Sequence, residues 1–285
     1  MQTINRLDAL RRAVAELRQN GPVAFVPTMG ALHEGHLTLV REAKAQAAHV
    51  VVSIFVNPTQ FGPNEDLDAY PRRLAEDSRL LAAEGVDLLW APDVAEMYPA
   101  GFSTNISVSG VSEGFCGAAR PGHFDGVATV VNKLFNQVLP DMAFFGEKDW
   151  QQLAVIRRMA RDLDLTLPHA DRIHGVPTVR EPDGLAMSSR NQYLSPAERE
   201  AAAALPRALR AAIARIESGG DVAGALAELE SALGAAGFSS VDYAALADAG
   251  SLEPLTHPAE RPARLLVAAR IGGTRLIDNM PVTFR

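Results

Sequence analysis

The sequence predicts an α/β fold, a doubly wound parallel sheet joined to a second, smaller α+β domain. Short apolar runs alternate with helix-patterned segments over residues 1–176. One of those runs, VVVSIFV at 50–56, is apolar nearly throughout, as a strand buried on both faces of a parallel sheet must be. Beyond about residue 176 the alternation gives way to turn signals and an Ala-rich helical stretch.

The chain opens on an amphipathic helix, because Leu7, Leu10, Val14 and Leu17 recur at helical spacing. Strands are expected at 23–26, 50–56, 86–90 and 142–145, with helices at 36–48, 74–84, 126–138 and 150–163. Residues 102–109, FSTNISVS, alternate in polarity and read as an antiparallel excursion. Glu181-Pro182-Asp183-Gly184 is a turn. Ser195 suits an N-cap and Pro196 the first helical position of the Ala-rich stretch 197–236. The runs 265–271 and 275–277 flank Gly272-Gly273-Thr274 as a hairpin. At roughly 100–200 residues per domain, 285 residues make about two, expected at 1–176 and 177–285.

A formal net charge of -7 argues against a nucleic-acid groove, which needs a basic surface, and leaves room for a local basic pocket around a small polyanion. Cys116 is the sole cysteine, so no intrachain disulfide forms, which fits a reducing compartment. The first residues lack the apolar run and cleavage site of a secretory signal. No apolar stretch approaches the ~20 residues of a membrane span, so no membrane partner is expected and the expected location is cytoplasmic.

Candidate chemistry gathers where strands end. Pro27-Thr28-Met29-Gly30-Ala31-Leu32-His33-Glu34-Gly35-His36 joins a buried strand to a helix. Such a junction attracts anions through free backbone N–H groups and the helix dipole, and Gly30 and Gly35 permit close approach. His33 and His36 are three apart, so both rings can face one phosphate chain; a zinc-protease helix would instead place its histidines four apart. Gly146-Glu147-Lys148-Asp149 is a second strand-to-helix junction, with Lys148 able to neutralise phosphate, and Gln151 and Gln152 follow it. Met187-Ser188-Ser189-Arg190-Asn191 sets two hydroxyls beside a guanidinium, a natural phosphate clamp. Asn57-Pro58-Thr59-Gln60-Phe61 supplies neutral hydrogen-bonding groups suited to a hydroxylated acid.

The HxGH segment and the MSSRN loop resemble those of the nucleotidyltransferase superfamily. PTMGALHEGH, FVNPTQF, Tyr70-Pro71-Arg72, Arg120-Pro121-Gly122-His123-Phe124, FGEKD, MSSRN and Val241-Asp242-Tyr243 occur in series, and that series resembles the pantothenate synthetases over nearly the whole chain. The resemblance implies a Rossmann-like catalytic domain, with the 177–285 domain closing over the active site. It implies an ATP-dependent ligase that condenses pantoate with β-alanine through a pantoyl-adenylate, giving pantothenate, AMP and pyrophosphate. His36, as proton donor, would act with His33, Lys148 and Arg190. Met29, Gly30, Ala31, Leu32, His33, Glu34, Gly35 and His36 would line the ATP site, completed by Gly146, Glu147, Lys148, Asp149, Val179, Met187, Ser188, Ser189 and Arg190. Gln60, Gln152, Asn57, Tyr70 and Arg120 would meet the other substrates. Magnesium is implied, with Asp77 as its ligand in competition with Glu76, and so is a homodimer. A plain nucleotidyltransferase would share HxGH without needing NPTQF or RPGHF. A tRNA synthetase is disfavoured by the acidic charge, and a non-catalytic nucleotide-binding regulator by the joint presence of His33, His36, Lys148 and Arg190.

Overall fold

In the computed structural model, which describes residues 1–63, 65–257 and 261–283, the apolar runs become strands of a parallel sheet. In chain order the elements are β1 (Gln2–Ile4), α1 (Leu7–Arg18), β2 (Val23–Thr28), α2 (Glu34–Gln46), β3 (His49–Ile54), α3 (Leu74–Ala83), β4 (Leu88–Trp90) and α4 (Val94–Met97). Then come α5 (Cys116–Ala119), α6 (His123–Val138), β5 (Met142–Gly146), α7 (Trp150–Asp162) and β6 (Ile173–Val176). The last are α8 (Pro196–Ala202), α9 (Ala204–Glu217), α10 (Val222–Ala235), β7 (Ser240–Asp248), β8 (Ala263–Ile271) and β9 (Thr274–Val282).

One compact unit comprises Met1–Ser109, Arg120–Glu147 and Val155–Pro177. Its sheet runs β1-β4-β3-β2-β5-β6, with all pairings parallel among the described residues. Successive side chains point to opposite faces of a strand. On one face Ala24, Val26, Val50, Val52, Met142 and Phe144 pack with Leu39, Val40 and Ala43 of α2 and Leu81 of α3. On the other, Phe25 and Phe145 each meet Phe135 of α6 edge-on, at 6.4 and 6.3 Å. Trp90 Nε1 donates to Gln137 Oε1 at 3.0 Å on α6, which satisfies the buried indole. Helices on both faces make the sheet doubly wound, and they are why β2 and β3 read as unbroken apolar runs.

The other unit comprises Gly110–Ala119, Lys148–Ala154 and Thr178–Arg285. The antiparallel sheet β7-β8-β9 buries Leu265, Val267 and Ala269 against Leu205, Leu209 and Ile213 of α9 and Leu229 and Leu233 of α10. Ser195 caps α8 as expected, in a capping box with Glu198, and Pro196 takes the first position. The Ala-rich stretch is three helices instead of one. Ala203 separates α8 from α9, and Gly219, at φ 89°, turns the chain before Asp221 caps α10.

Residues 102–109 form no strand. Thr129 Oγ1 accepts from the Ile106 N–H at 2.9 Å, and Asp125 Oδ2 from Asn105 Nδ2 at 3.2 Å, so side chains of α6 stand where a neighbouring strand would be. The N-terminus of α6 also lies directly on the turn Pro58–Gln60. A Cβ on Gly126 would sit 2.4 Å from the Thr59 carbonyl oxygen and 2.7 Å from the Gln60 nitrogen. Gly126→Ala, which on an open helix adds about 1 kcal/mol, is therefore expected to destabilise this protein and lower its Tm by about 2 °C or more. Thermal unfolding of the variant measures this; a raised Tm would show that the turn yields freely.

Candidate active site

The crevice is set by how β2 pairs. It matches β3 over six positions, from Val23↔His49 to Thr28↔Ile54, but β5 over two, Ala24↔Met142 and Phe25↔Ala143. Beyond Phe25 the two strands part at the point where strand order reverses, the usual ligand position in an open α/β sheet. Met29–His33 leave β2 there and Gly146 ends β5, while Asn57 and Gln60 follow β3.

Gly30 and Ala31 take consecutive left-handed conformations, at φ 81° and 51°. Such a turn aims successive N–H groups at one point, a concavity that favours an anion. The anion is the protein's own. Asp77, buried in the first turn of α3, accepts from Ala31 N at 2.9 Å through Oδ2 and from Leu32 N at 2.9 Å through Oδ1. Gly30 must be glycine here, since a Cβ would meet Asp77 Oδ2 at 3.0 Å in addition to the positive φ. Burial pushes the Asp77 carboxyl above its ordinary range, and the two amide bonds oppose that rise. The expectation of free amides awaiting a phosphate is corrected accordingly. Gly30 N donates to Thr28 Oγ1 at 3.2 Å, and the amides of Ala31 and Leu32 are held by Asp77.

The histidines complete the helix start. His33 Nδ1 accepts from Gly35 N at 3.1 Å, and His36 Nδ1 accepts from His33 N at 3.3 Å. The two rings lie 4.1 Å apart. A ring nitrogen that accepts an N–H carries no proton, so each neutral imidazole holds its proton on Nε2 and is a donor there.

Asp77, expected at the metal, spends one acceptor position on each of its two oxygens on the loop amides. Glu76 is exposed, and among the described residues no group of three or more His, Cys, Asp or Glu could hold a metal ion.

Gln60 is buried and oriented. Asn57 Nδ2 donates to Gln60 Oε1 at 3.1 Å, which turns Gln60 Nε2 toward Met29 Sδ at 3.0 Å. Asn57 is held in turn by Tyr98, whose hydroxyl donates to its Oδ1 at 2.8 Å, and by the Gly126 carbonyl at 3.1 Å. Arg120 and Tyr70, expected at the substrate, face inward. Arg120 grips Glu65 at 2.6 Å through both Nε and Nη2 and reaches His123 Nε2 at 2.9 Å; His123 Nδ1 then donates to the Gln60 carbonyl at 2.8 Å. Tyr70 is buried with its ring edge-on to Phe61 at 5.8 Å.

In the other unit, Lys148 Nζ lies 3.8 Å from Asp149 Oδ2. Gln151 is consumed internally, accepting from Cys116 N and donating to the Val111 and Gly114 carbonyls, whereas Gln152 is half-buried. Met187 N donates to the Val179 carbonyl at 3.0 Å, which brings those two expected nucleotide residues together. Ser188 Oγ accepts from Arg190 N at 3.3 Å and caps the turn Ser189–Tyr193.

A family model described as pantoate-beta-alanine ligase matches residues 2–281. The chain belongs to the pantoate–β-alanine ligase family. It is 74% identical over 283 residues to a pantothenate synthetase of Novosphingobium aromaticivorans, covering 99% of each chain. It is 64% identical to that of Rhizorhabdus wittichii, again over 99% of each. Its fold matches a pantothenate synthetase of Thermus thermophilus with a TM-score of 0.92 at 50% identity, covering 98% of this chain and 99% of that one. It matches a Francisella tularensis pantoate-beta-alanine ligase, solved with beta-gamma ATP and beta-alanine, with a TM-score of 0.82 at 34% identity, covering 98% and 97%. As a member of this ligase family the chain is an enzyme, and its Rossmann-like sheet is the family's fold.

Sequence reasoning missed several residues of this ligase: Asp77 as loop brace, Tyr98 as the anchor of Asn57, and the Glu65–Arg120–His123 chain under Gln60. RPGHF signals the last of these, but its partner Glu65 carries no motif. Burial pushes the Glu65 carboxyl up, and the hydrogen bonds and charge of Arg120 outweigh it, bringing the group from 4.5 down to about 2. Because the folded value lies below the unfolded one, this stabilisation is present above pH 4.5 and is lost as pH falls toward about 2. The Tm difference between wild type and Glu65→Gln is expected to be largest at neutral pH and to shrink below pH 4.5; a pH-independent difference would contradict the ion pair. Asp77→Asn sets an amide NH₂ against a backbone donor. It is expected to weaken nucleotide binding about 10-fold or more, the scale of one orphaned buried donor, while the magnesium activation curve stays in place. A shifted magnesium midpoint with normal nucleotide affinity would return Asp77 to the metal.

Proposed function

We propose that the chain joins pantoate to β-alanine with ATP through a pantoyl-adenylate, giving pantothenate, AMP and pyrophosphate. The observation that carries this reading is the seating of Gln60. Its amide is turned by Asn57 onto Met29, the first residue of the loop that leads to the histidine-capped start of α2, so a group suited to a hydroxy-acid meets the loop that carries His33 and His36, at the same strand ends. An acid held there would have its carboxylate beside the α-phosphate.

A carboxylate is a poor electrophile, and adenylation supplies its leaving group. Attack of a pantoate carboxylate oxygen on the α-phosphorus forms the acyl–phosphate bond and breaks the bond to the β-phosphate oxygen, which leaves as pyrophosphate. The β-alanine nitrogen then attacks the acyl carbon and AMP departs. The amine resembles a lysine side chain, with a pKa of about 10, so it loses a proton before attacking. In the first step negative charge gathers on the phosphates. His33 and His36, with protons on Nε2, are donors to it, and Lys148 and Arg190 are its cations. Val179 and Met187 to Ser189 complete the nucleotide site, and Gln152 joins Gln60 at pantoate. The neutral rings hold α2 through their Nδ1 atoms, so their service here is hydrogen-bond donation to charge that develops, not delivery of a proton from an imidazolium. The reading includes a cytoplasmic enzyme that acts as a homodimer; no described helix is long and apolar enough to cross a membrane.

Pantoate, β-alanine and ATP are expected to yield pantothenate, AMP and pyrophosphate in equal amounts, read by mass spectrometry. With β-alanine omitted, labelled pyrophosphate is expected to exchange into ATP in a pantoate-dependent manner. Release of ADP and phosphate would sink the adenylate, since it marks an acyl-phosphate route. Exchange without pantoate would indicate a plain nucleotidyltransferase.

A further inference from the structure

Asp278 and Asn279 stand side by side on β9, both buried, at 2% and 4% exposure. Neither belongs to a segment assigned to substrate. Each holds the root of one that is.

Asp278 receives Arg180 through two bonds, Nη1 to Oδ2 at 2.7 Å and Nη2 to Oδ1 at 2.9 Å. Arg180 also donates to the Gly184 carbonyl at 3.0 Å. It pairs antiparallel with Ala186, in a small hairpin where Glu181 N donates to Leu185 O at 2.8 Å and Met187 N to Val179 O at 3.0 Å. Clamping Arg180 therefore fixes the Val179–Met187 pairing from which Ser188, Ser189 and Arg190 extend.

Asn279 works on the other segment. Its Nδ2 donates to the Lys148 carbonyl at 2.9 Å, and its Oδ1 accepts from Arg264 Nη1. Arg264 in turn lies over the Trp150 ring, 3.6 Å from its centre, and Trp150 Nε1 donates to the Ala249 carbonyl at 2.9 Å. The Lys148 carbonyl before Asp149 is thus tied directly to β9, and the Trp150 side chain after it is held between Arg264 of β8 and the Ala249 carbonyl. The Asn279 N–H itself donates to Asp278 Oδ1 at 2.7 Å, which links the two braces directly.

We propose that Asp278 and Asn279 are positioning residues that hold the Lys148 segment and the Met187–Arg190 segment in one fixed relation through adjacent positions of β9. The inference rests on the assignment of Lys148 and Arg190 to phosphate charge. Lysine carries its charge on a flexible four-carbon stem, so the aim of Nζ depends on where its backbone is rooted. A misplacement of about 1 Å can cost about 10²-fold in rate.

The test is a double-mutant cycle on the full-length enzyme, with each half-reaction followed in single turnover and Tm recorded for every variant. Asn279→Ala is expected to slow pantoyl-adenylate formation about 10- to 100-fold and to change attack of β-alanine on supplied pantoyl-adenylate by less than about 3-fold. Lys148→Ala is expected to slow adenylation about 10²-fold or more. Adding Asn279→Ala to Lys148→Ala should then cost less than about 3-fold further, because a brace acting through Lys148 has nothing left to aim. Asn279→Asp keeps the shape and the acceptor for Arg264 but loses the donor to Lys148, so it should reproduce the Asn279→Ala loss and serves if that variant does not fold. Equal losses in both half-reactions, or a full multiplicative loss in the Lys148→Ala background, would overturn the inference alone. Unchanged adenylation in Lys148→Ala would overturn the assignment of Lys148 and the inference with it.

Discussion

The two bonds from Asp77 to the amides of Ala31 and Leu32 are the constraint on which the β2 side of the crevice depends. Two consecutive left-handed residues are costly in a chain of L-amino acids, more so where the second is alanine. A buried carboxylate that accepts both amides compensates that cost, and it leaves the loop with one shape. From that shape the rest follows in order. Gly30 has no room for a side chain, α2 starts at Glu34 with histidines as its caps, and Met29 is delivered to Gln60. An internal anion also changes the electrostatics, since the concavity arrives already neutralised. Hydrogen-bond donation toward an anion there then falls to side chains such as His33 and His36, whose Nδ1 atoms already accept from the backbone.

The Gln60 side of the crevice is built by the opposite means. Its polar groups are neutral and locked to one another, from Tyr98 to Asn57 to Gln60, while the charged residues near them are turned away. Arg120 and Glu65 neutralise each other, and Arg120 meets Gln60 at its backbone carbonyl alone, directly at 3.4 Å and through His123. A free guanidinium at this place would bind any carboxylate tightly in the ground state, which does not accelerate its reaction. A directed amide selects by geometry at lower affinity.

The central strands were legible in the sequence because burial on both faces leaves a continuous apolar run, as in β2, β3 and β5. β1 and β6 were not, since two of the three residues of β1 are exposed and His174-Gly175 interrupts the apolar run of β6, whereas the equally short β4 is buried throughout. β7 was legible only as a resemblance at Val241–Tyr243, because its burial is broken along its length. The alternating segment 102–109 misled for a physical reason: period-two polarity marks a chain with one buried side, and side chains of α6 supply that side as well as a strand would. At the site, residues beside a strand end or glycine turn could be named from their motif. Asp77, Tyr98, Glu65, Asp278 and Asn279 act on neighbours 41 to 131 positions away in sequence, and no local pattern records such a partner.

The divergence of β2 from β5 after two paired residues makes the crevice a feature of the backbone rather than of the side chains that line it. Its width is inherited with the sheet, and the sheet is secured by a core that has no part in recognition. A substitution at the strand ends therefore changes the lining of the crevice without changing the pairing that opens it. Strand pairing thus acts as a frame, and the rim side chains are fittings that can be exchanged while the frame stands.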